Sequence, residues 1–204
     1  MKELALTDWV FTDPHFNHHR LVEWGDRPEG FETLIADSWQ RRVGQNDTVY
    51  CLGDVCFKSP GEAHETYIKP MPGYKILILG NHDKQKEAWY LSHGWNEVHT
   101  EVMLKADVGG RHTRLLLSHI PQSDAGNRFD LNLHGHYHNN YHRIKQSEEA
   151  RQFMLSKKHI LLSIEEVNYD FVRLFDLING RVEQPGLALL REGLTSNEDG
   201  PNGR

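Results

Sequence analysis

The chain is 204 residues long, enough for one well-cored domain and too short for two of typical size. Hydrophobic residues make up 38% and charged residues 25%, as in soluble globular proteins, and no apolar run approaches the roughly 18 residues of a membrane span. The net charge of −6 disfavours a broad, non-specific grip on nucleic acid.

The N-terminal segment carries Lys2, Glu3 and Asp8 where an export signal needs an apolar core. A cytoplasmic location is therefore expected, with Cys51 and Cys56 as reduced thiols. In chain order, Leu4 to Thr12 reads as a strand ending at Asp13, and Phe31 to Val43 as a helix. Thr48 to Leu52 reads as a strand ending at Gly53–Asp54, followed by a helix from Gly61 to Ile68. Tyr74 to Leu79 is a buried-type strand that runs into Gly80–Asn81–His82–Asp83, with a helix from Lys84 to Leu91. Glu97 to Ala106 and Thr113 to Leu117 flank Gly109–Gly110, a hairpin signal, and the second arm ends at Ser118–His119. Leu131 to Leu133 leads into His134–Gly135–His136–Tyr137–His138. A strand from His159 to Ile164 and a helix or strand from Phe171 to Ile178 complete the pattern. Strands alternating with helices point to a layered α/β architecture. A single domain is expected over residues 1–190, with a flexible tail over 191–204, whose last residues are polar and rich in Gly, Asn and Pro.

The chain has 14 histidines. His15, His18, His19, His82, His119, His134, His136 and His138 fall in four short stretches which, with Gly53–Asp54 as a fifth, each follow an apolar run. In open α/β sheets, ligands sit beyond the carboxyl ends of the strands, so these stretches are expected to converge. Asp13 and His15 stand two residues apart, as do His136 and His138; along an extended chain each pair would point to one side and chelate. Asp-x-His or Gly-Asp alone is ordinary loop chemistry, whereas five such stretches in order at strand ends point to a metal centre.

The order Asp13-x-His15, Gly53-Asp54, Gly80-Asn81-His82-Asp83, His119 and Gly135-His136-x-His138 resembles the calcineurin-like metallophosphoesterase superfamily. The stretches TDPHFNHH, Arg27–Pro28, NLHGHYHN and LLSIEEVNY add a likeness to its small bacterial and phage predicted phosphoesterases, covering residues 5 to 178. The resemblance implies a four-layer α/β/β/α sandwich. It implies that Asp13, His15 and His138 hold one metal, that Asn81, His119 and His136 hold a second, and that Asp54 bridges them. It also gives His82 a catalytic role, to protonate the leaving oxygen or to stabilise charge on the phosphoryl group, with Asp83 as its orienting partner or as a helix N-cap.

Two divalent cations are thus the expected cofactors. Mixed nitrogen and oxygen ligands suit Mn first, with Fe, Zn or Ni as other candidates. A pair of such ions about 3.5–4 Å apart can activate a bridging hydroxide for in-line attack on phosphorus. His18 and Arg27 are candidates for phosphate contact, Arg for its bidentate geometry. Trp24, near Arg27, is a candidate to touch a substrate base. His134 is expected in the core or behind the ligands, and Trp9, Trp39, Trp89 and Trp95 in packing. The expected activity is phosphoester hydrolysis, a diesterase favoured, on a small phosphoester or nucleotide-like substrate. Alternatives are a phosphomonoesterase, a nuclease on extended nucleic acid, which the charge disfavours, and a non-catalytic scaffold of the same fold. The basic residues form no contiguous patch and read as solvated surface.

Overall fold

The computed structural model describes residues 1–24 and 26–198. Its elements run β1 (Lys2–Glu3), β2 (Asp8–Phe11), α1 (Arg20–Glu23), α2 (Phe31–Arg42), β3 (Thr48–Cys51), α3 (Pro60–Tyr67), β4 (Tyr74–Ile78), α4 (Glu87–Ser92) and β5 (Glu97–His99). They continue as β6 (Glu101–Val108), β7 (Arg111–Ser118), β8 (Leu131–His134), α5 (Tyr141–Gln146), α6 (Glu148–Leu155), β9 (His159–Leu161), β10 (Val172–Arg173), α7 (Leu174–Ile178) and α8 (Pro185–Glu198).

Among the described residues the strands form two five-stranded sheets, ordered β10-β2-β3-β4-β5 and β1-β6-β7-β8-β9. In the first, β2 to β5 are parallel and β10 closes one edge antiparallel. In the second, β6 and β7 form an antiparallel hairpin while the other pairs are parallel.

Strand alternation divides the apolar residues between two faces. Trp9, Phe11, Val49, Cys51 and Leu77 face Phe31, Ile35 and Trp39 of α2, together with residues around α3 and α4. Val10, Tyr50, Leu52, Ile76 and Ile78 face the second sheet through Leu104, Leu115, Leu117 and Leu133. The outer side of the second sheet packs Leu161 against Ile144 of α5, Ala150 and Met154 of α6, and Leu187, Leu190 and Leu194 of α8. The layers are therefore helix, sheet, sheet, helix, as the resemblance implies. Each fully buried Leu, Ile or Phe contributes roughly 1.5–3 kcal/mol to holding them together.

Several boundaries differ from expectation. The first strand begins only at Asp8, because the Asp8 carboxylate accepts the Ala5 N–H at 2.8 Å and holds residues 5–8 in a turn. The chain before that turn joins the other sheet as β1. Residues 97–106 divide at Thr100 between the two sheets, so only β6 forms the hairpin with β7. The helix expected from Lys84 starts at Glu87, and Phe171 to Ile178 is a short strand followed by a short helix. The expected flexible tail is helical from residue 191 as far as Glu198, with Leu194 buried against the α6 layer; residues 199–204 lie outside the described residues. Cys51 and Cys56 are both buried free thiols, and no described helix is long and apolar enough to cross a membrane.

Candidate metal centre

The loops after β2, β3, β4, β7 and β8 meet beyond the strand ends. Contact between backbones makes this possible. A Cβ on Gly80 would lie 2.2 Å from Asp54 Oδ1, and one on Gly135 would lie 2.1 Å from Thr12 Oγ1 and 2.3 Å from Asp13 Oδ2. No side chain fits at either position, which is why the motifs carry glycine there.

Five metal-capable residues have left-handed backbone: Asp13 (φ 49°), His15 (φ 49°), Asp54 (φ 54°), His136 (φ 73°) and His138 (φ 51°). The pairs two residues apart converge through these turns, in place of the extended geometry expected from spacing. Left-handed backbone costs roughly 1–2 kcal/mol per non-glycine residue, and surrounding bonds hold it. Asp13 and His15 donate their N–H groups to the Gly53 and Asp54 carbonyls, each at 3.1 Å, and Gly135 N–H bonds to the His119 carbonyl at 3.1 Å. The His136 N–H bonds to Asp13 Oδ2 at 3.1 Å.

The side-chain donors fall into two groups that share Asp54 Oδ2. On one side His15 Nε2 lies 3.8 Å from Asp54 Oδ2, 3.9 Å from Asp13 Oδ1 and 3.2 Å from His138 Nε2, which is 3.5 Å from Asp13 Oδ1. On the other, His119 Nε2 lies 3.4 Å from Asp54 Oδ2, 3.0 Å from Asn81 Oδ1 and 3.2 Å from His136 Nδ1. Asp13, His15 and His138 could hold one cation, and Asp13, Asp54 and His119 also lie close enough to share one.

The donor set fits divalent cations. Asp13 Oδ1 is buried without a hydrogen-bond partner and faces the imidazoles. His119 Nδ1 donates to the Leu52 carbonyl at 2.7 Å and His138 Nδ1 to Glu165 Oε1 at 3.0 Å, so Nε2 of each ring is the atom left to face the centre. Burial lowers the pKa of His15 to about 3 and of His136 to about 4, keeping both neutral as ligation requires. Burial opposes the charged form of His119 too, but the Asp54 hydrogen bond and the Asp13 and Asp54 charges raise it to about 9. Burial acts upward on Asp54, and His119 with the His82 N–H brings it down to about 2. Burial acts upward on Asp13 as well, but the nearby His138, His119 and His15 hold it below the usual carboxylate range, so both carboxylates are ionised near neutrality.

Glu165, which sequence reasoning missed, anchors this arrangement. Its Oε1 accepts the His138 ring N–H, Arg27 Nε at 3.0 Å and an Arg27 terminal nitrogen at 2.6 Å. Arg27, expected to contact phosphate, is instead 4% exposed and is taken up internally. It bonds Glu165 and the Pro14 and Asp13 carbonyls, each carbonyl at 2.8 Å. It therefore braces the loop carrying Asp13 and His15 against Glu165. The signal for Glu165 was its place in the LLSIEEVNY stretch that adds to the family likeness, where it opens an acidic pair after an apolar run.

Asp83 also differs from expectation. Its carboxylate accepts the N–H groups of Gly80 and Asp54 at 2.8 Å and of Val55 at 3.1 Å. It clamps two ligand loops together in place of orienting the His82 ring, and α4 begins after Lys86, so it is no helix cap. His82 is anchored by its backbone N–H on Asp54 Oδ1 at 2.8 Å, while its half-exposed ring reaches to 3.9 Å from Asp54 Oδ2. His18 is half-buried and stacked on Phe57 beside the centre. Trp24 is exposed, with its ring edge toward His18. His134 is fully buried with Nδ1 on the Gly135 carbonyl at 3.0 Å, in the core as expected.

Comparison with known proteins agrees with this geometry. The family model of calcineurin-like phosphoesterases matches residues 8–179. The Gene 66 protein of Mycobacterium phage L5 is 34% identical over 64% of this chain and 76% of its own length. The Gene 66 protein of Mycobacterium phage D29 is 31% identical over 78% of this chain and 92% of its own length. A solved structure, a protein of unknown function from Aquifex aeolicus, superposes with a TM-score of 0.60 at 25% identity, covering 81% of this chain and 94% of that one. Strand-end loops that carry these donors, in a sequence matched by the family model over most of its length, show that the chain belongs to the calcineurin-like phosphoesterase family.

Proposed function

We propose that the chain is a phosphodiesterase working with two divalent cations, manganese favoured, on a small phosphoester or nucleotide-like substrate. The observation that carries this reading is the meeting of two donor groups at Asp54 Oδ2. In this reading Asp13, His15 and His138 hold one cation, Asn81, His119 and His136 hold the other, and Asp54 joins them. The cations' charge exceeds that of the two carboxylates, so the centre attracts phosphate although the whole chain carries −6. Mixed imidazole, carboxylate and amide donors suit manganese, with iron, zinc and nickel as rivals.

When bound, the ions supply Lewis acidity toward the phosphoryl oxygens and activation of the attacking water. The chain's own residues do the rest. A bond forms between the water oxygen and phosphorus as the water gives up a proton to solvent, and the bond from phosphorus to the leaving oxygen breaks. His82 gives a ring N–H proton to that oxygen and regains one from solvent.

Asp54→Asn tests the reading. With Mn2+ and bis(4-nitrophenyl) phosphate, hydrolysis should fall about 10³-fold, since ligation supplies several kcal/mol of transition-state stabilisation. Elemental analysis should show less bound manganese. Unchanged activity and metal content would overturn the reading, and faster turnover of 4-nitrophenyl phosphate than of the diester would make it a monoesterase.

A further inference from the structure

Beyond the metal ligands, both ligand loops continue into a cluster of aromatic rings. The loop after Asp13 and His15 runs on to His18 and Trp24, and the loop after Asp54 runs on to Phe57. Their backbones are joined where the chain pairs at Phe16 and Cys56, and the Phe57 N–H bonds to the Phe16 carbonyl at 3.1 Å. His18 and Phe57 stack face to face, with centroids 3.9 Å apart and an interplanar angle of 11°. The Trp24 ring lies 6.0 Å from His18. The cluster abuts the centre: His18 is 5.6 Å from the ring of His15, and Phe57 is 5.7 Å from that of His82.

Two of these rings are open to solvent. Trp24 is 61% exposed and Phe57 is 42% exposed, whereas Trp9, Trp39 and Trp95 are all in the core. An exposed apolar patch costs solubility and marks a contact site when it adjoins function. Trp and Phe offer flat π-faces, and a nucleobase stacks on such faces with little dependence on its identity.

We infer that Trp24, His18 and Phe57 form a stacking platform for a planar aromatic group of the substrate, a nucleobase attached through its sugar to the phosphorus held at the metal centre. This rests on the phosphodiesterase reading and names its substrate class: nucleotide diesters over esters of aliphatic alcohols. The platform selects by stacking, so it tolerates any of the common bases.

The test compares the methyl ester of adenosine 5′-monophosphate with the methyl ester of ribose 5-phosphate, which lacks the base, in the presence of Mn2+. The unmodified protein should favour the adenosine ester in kcat/KM, mainly through KM. Trp24→Ala and Phe57→Leu should each reduce that preference about tenfold, the scale of one lost stacking contact. Circular dichroism confirms that the variants are folded, and Phe57→Leu keeps more of the apolar volume than alanine would. A second readout needs no turnover: adenosine 5′-monophosphate should quench Trp24 fluorescence and bind more tightly than ribose 5-phosphate, and Trp24→Phe should remove the quench. Equal kcat/KM for both esters, or a preference unchanged in both variants, overturns the platform and leaves the hydrolytic reading standing. Hydrolysis of neither ester, with base-dependent binding retained, overturns the hydrolytic reading and leaves the platform standing.

Discussion

One oxygen of Glu165 accepts three hydrogen bonds, from the His138 ring and from two Arg27 nitrogens. A carboxylate behind a ligating imidazole fixes its tautomer and orientation and raises its basicity. Glu165→Gln keeps the shape but removes the charge, leaving a neutral amide oxygen to accept from His138 and Arg27 while its N–H group faces the Ser163 hydroxyl that donates to Oε2 at 2.8 Å. Manganese affinity, read by equilibrium dialysis, should fall about 10–100-fold while the variant stays folded. Retained affinity would show that His138 is positioned without Glu165. The contrast with the ligands explains what could be read from sequence. Asp13, Asp54, Asn81, His119, His136 and His138 each follow an apolar run closely, so local pattern placed them at strand ends. Glu165 lies 27 residues from His138 and 138 from Arg27, and nothing local reveals a partnership made only by tertiary packing. Arg27 was misjudged for the same reason: a guanidinium looks free until its carboxylate is found.

At the scale of elements, the apolar strands and α2 were legible because burial on both faces leaves continuous apolar runs and α2 has helical spacing. Helices α5, α6 and α8 were overlooked, since their polar faces dilute the pattern. One local signal was present, for Ser147 accepts the Ala150 N–H at 3.2 Å as the N-cap of α6. The contact between α3 and α4 carries its own prediction. His64 of α3 is fully buried against Trp89 and Tyr90, with Nδ1 on the Pro60 carbonyl at 2.8 Å and Nε2 without a partner. Burial lowers its pKa from 6.5 to about 4. The unfolded chain therefore takes up the proton first as pH falls. The stability contributed by neutral His64 is full above about 6.5 and declines as pH drops toward 4, by an amount on the order of 3 kcal/mol. Urea unfolding at pH 7 and pH 5 should show a smaller loss for His64→Phe than for the unmodified chain. Equal losses would mean that other groups carry the acid sensitivity.

Across the whole molecule, the three apolar clusters bind each layer to its neighbour, but the candidate metal donors would join the two sheets by a different bond. Asp13, Asp54 and Asn81 follow strands of the first sheet, whereas His119, His136 and His138 follow strands of the second. Cations held by both sets would cross-link the sheets at the strand ends, and separating the sheets on unfolding would release them. Ligands that bind only the folded state stabilise it by about 2.7 kcal/mol at one hundred times their Kd. For a chain of this size each kcal/mol raises Tm by about 2–4 °C. Chelation of a manganese-loaded sample should therefore lower Tm by about 5–10 °C, and added Mn2+ should restore it. The chelated protein should still melt cooperatively, because the apolar clusters persist without metal. Asp54→Asn removes the donor common to both groups and should lose most of the Mn2+-dependent rise. A Tm that ignores both chelation and Mn2+ would show that the donors do not tie the sheets through a cation, whatever activity the chain displays.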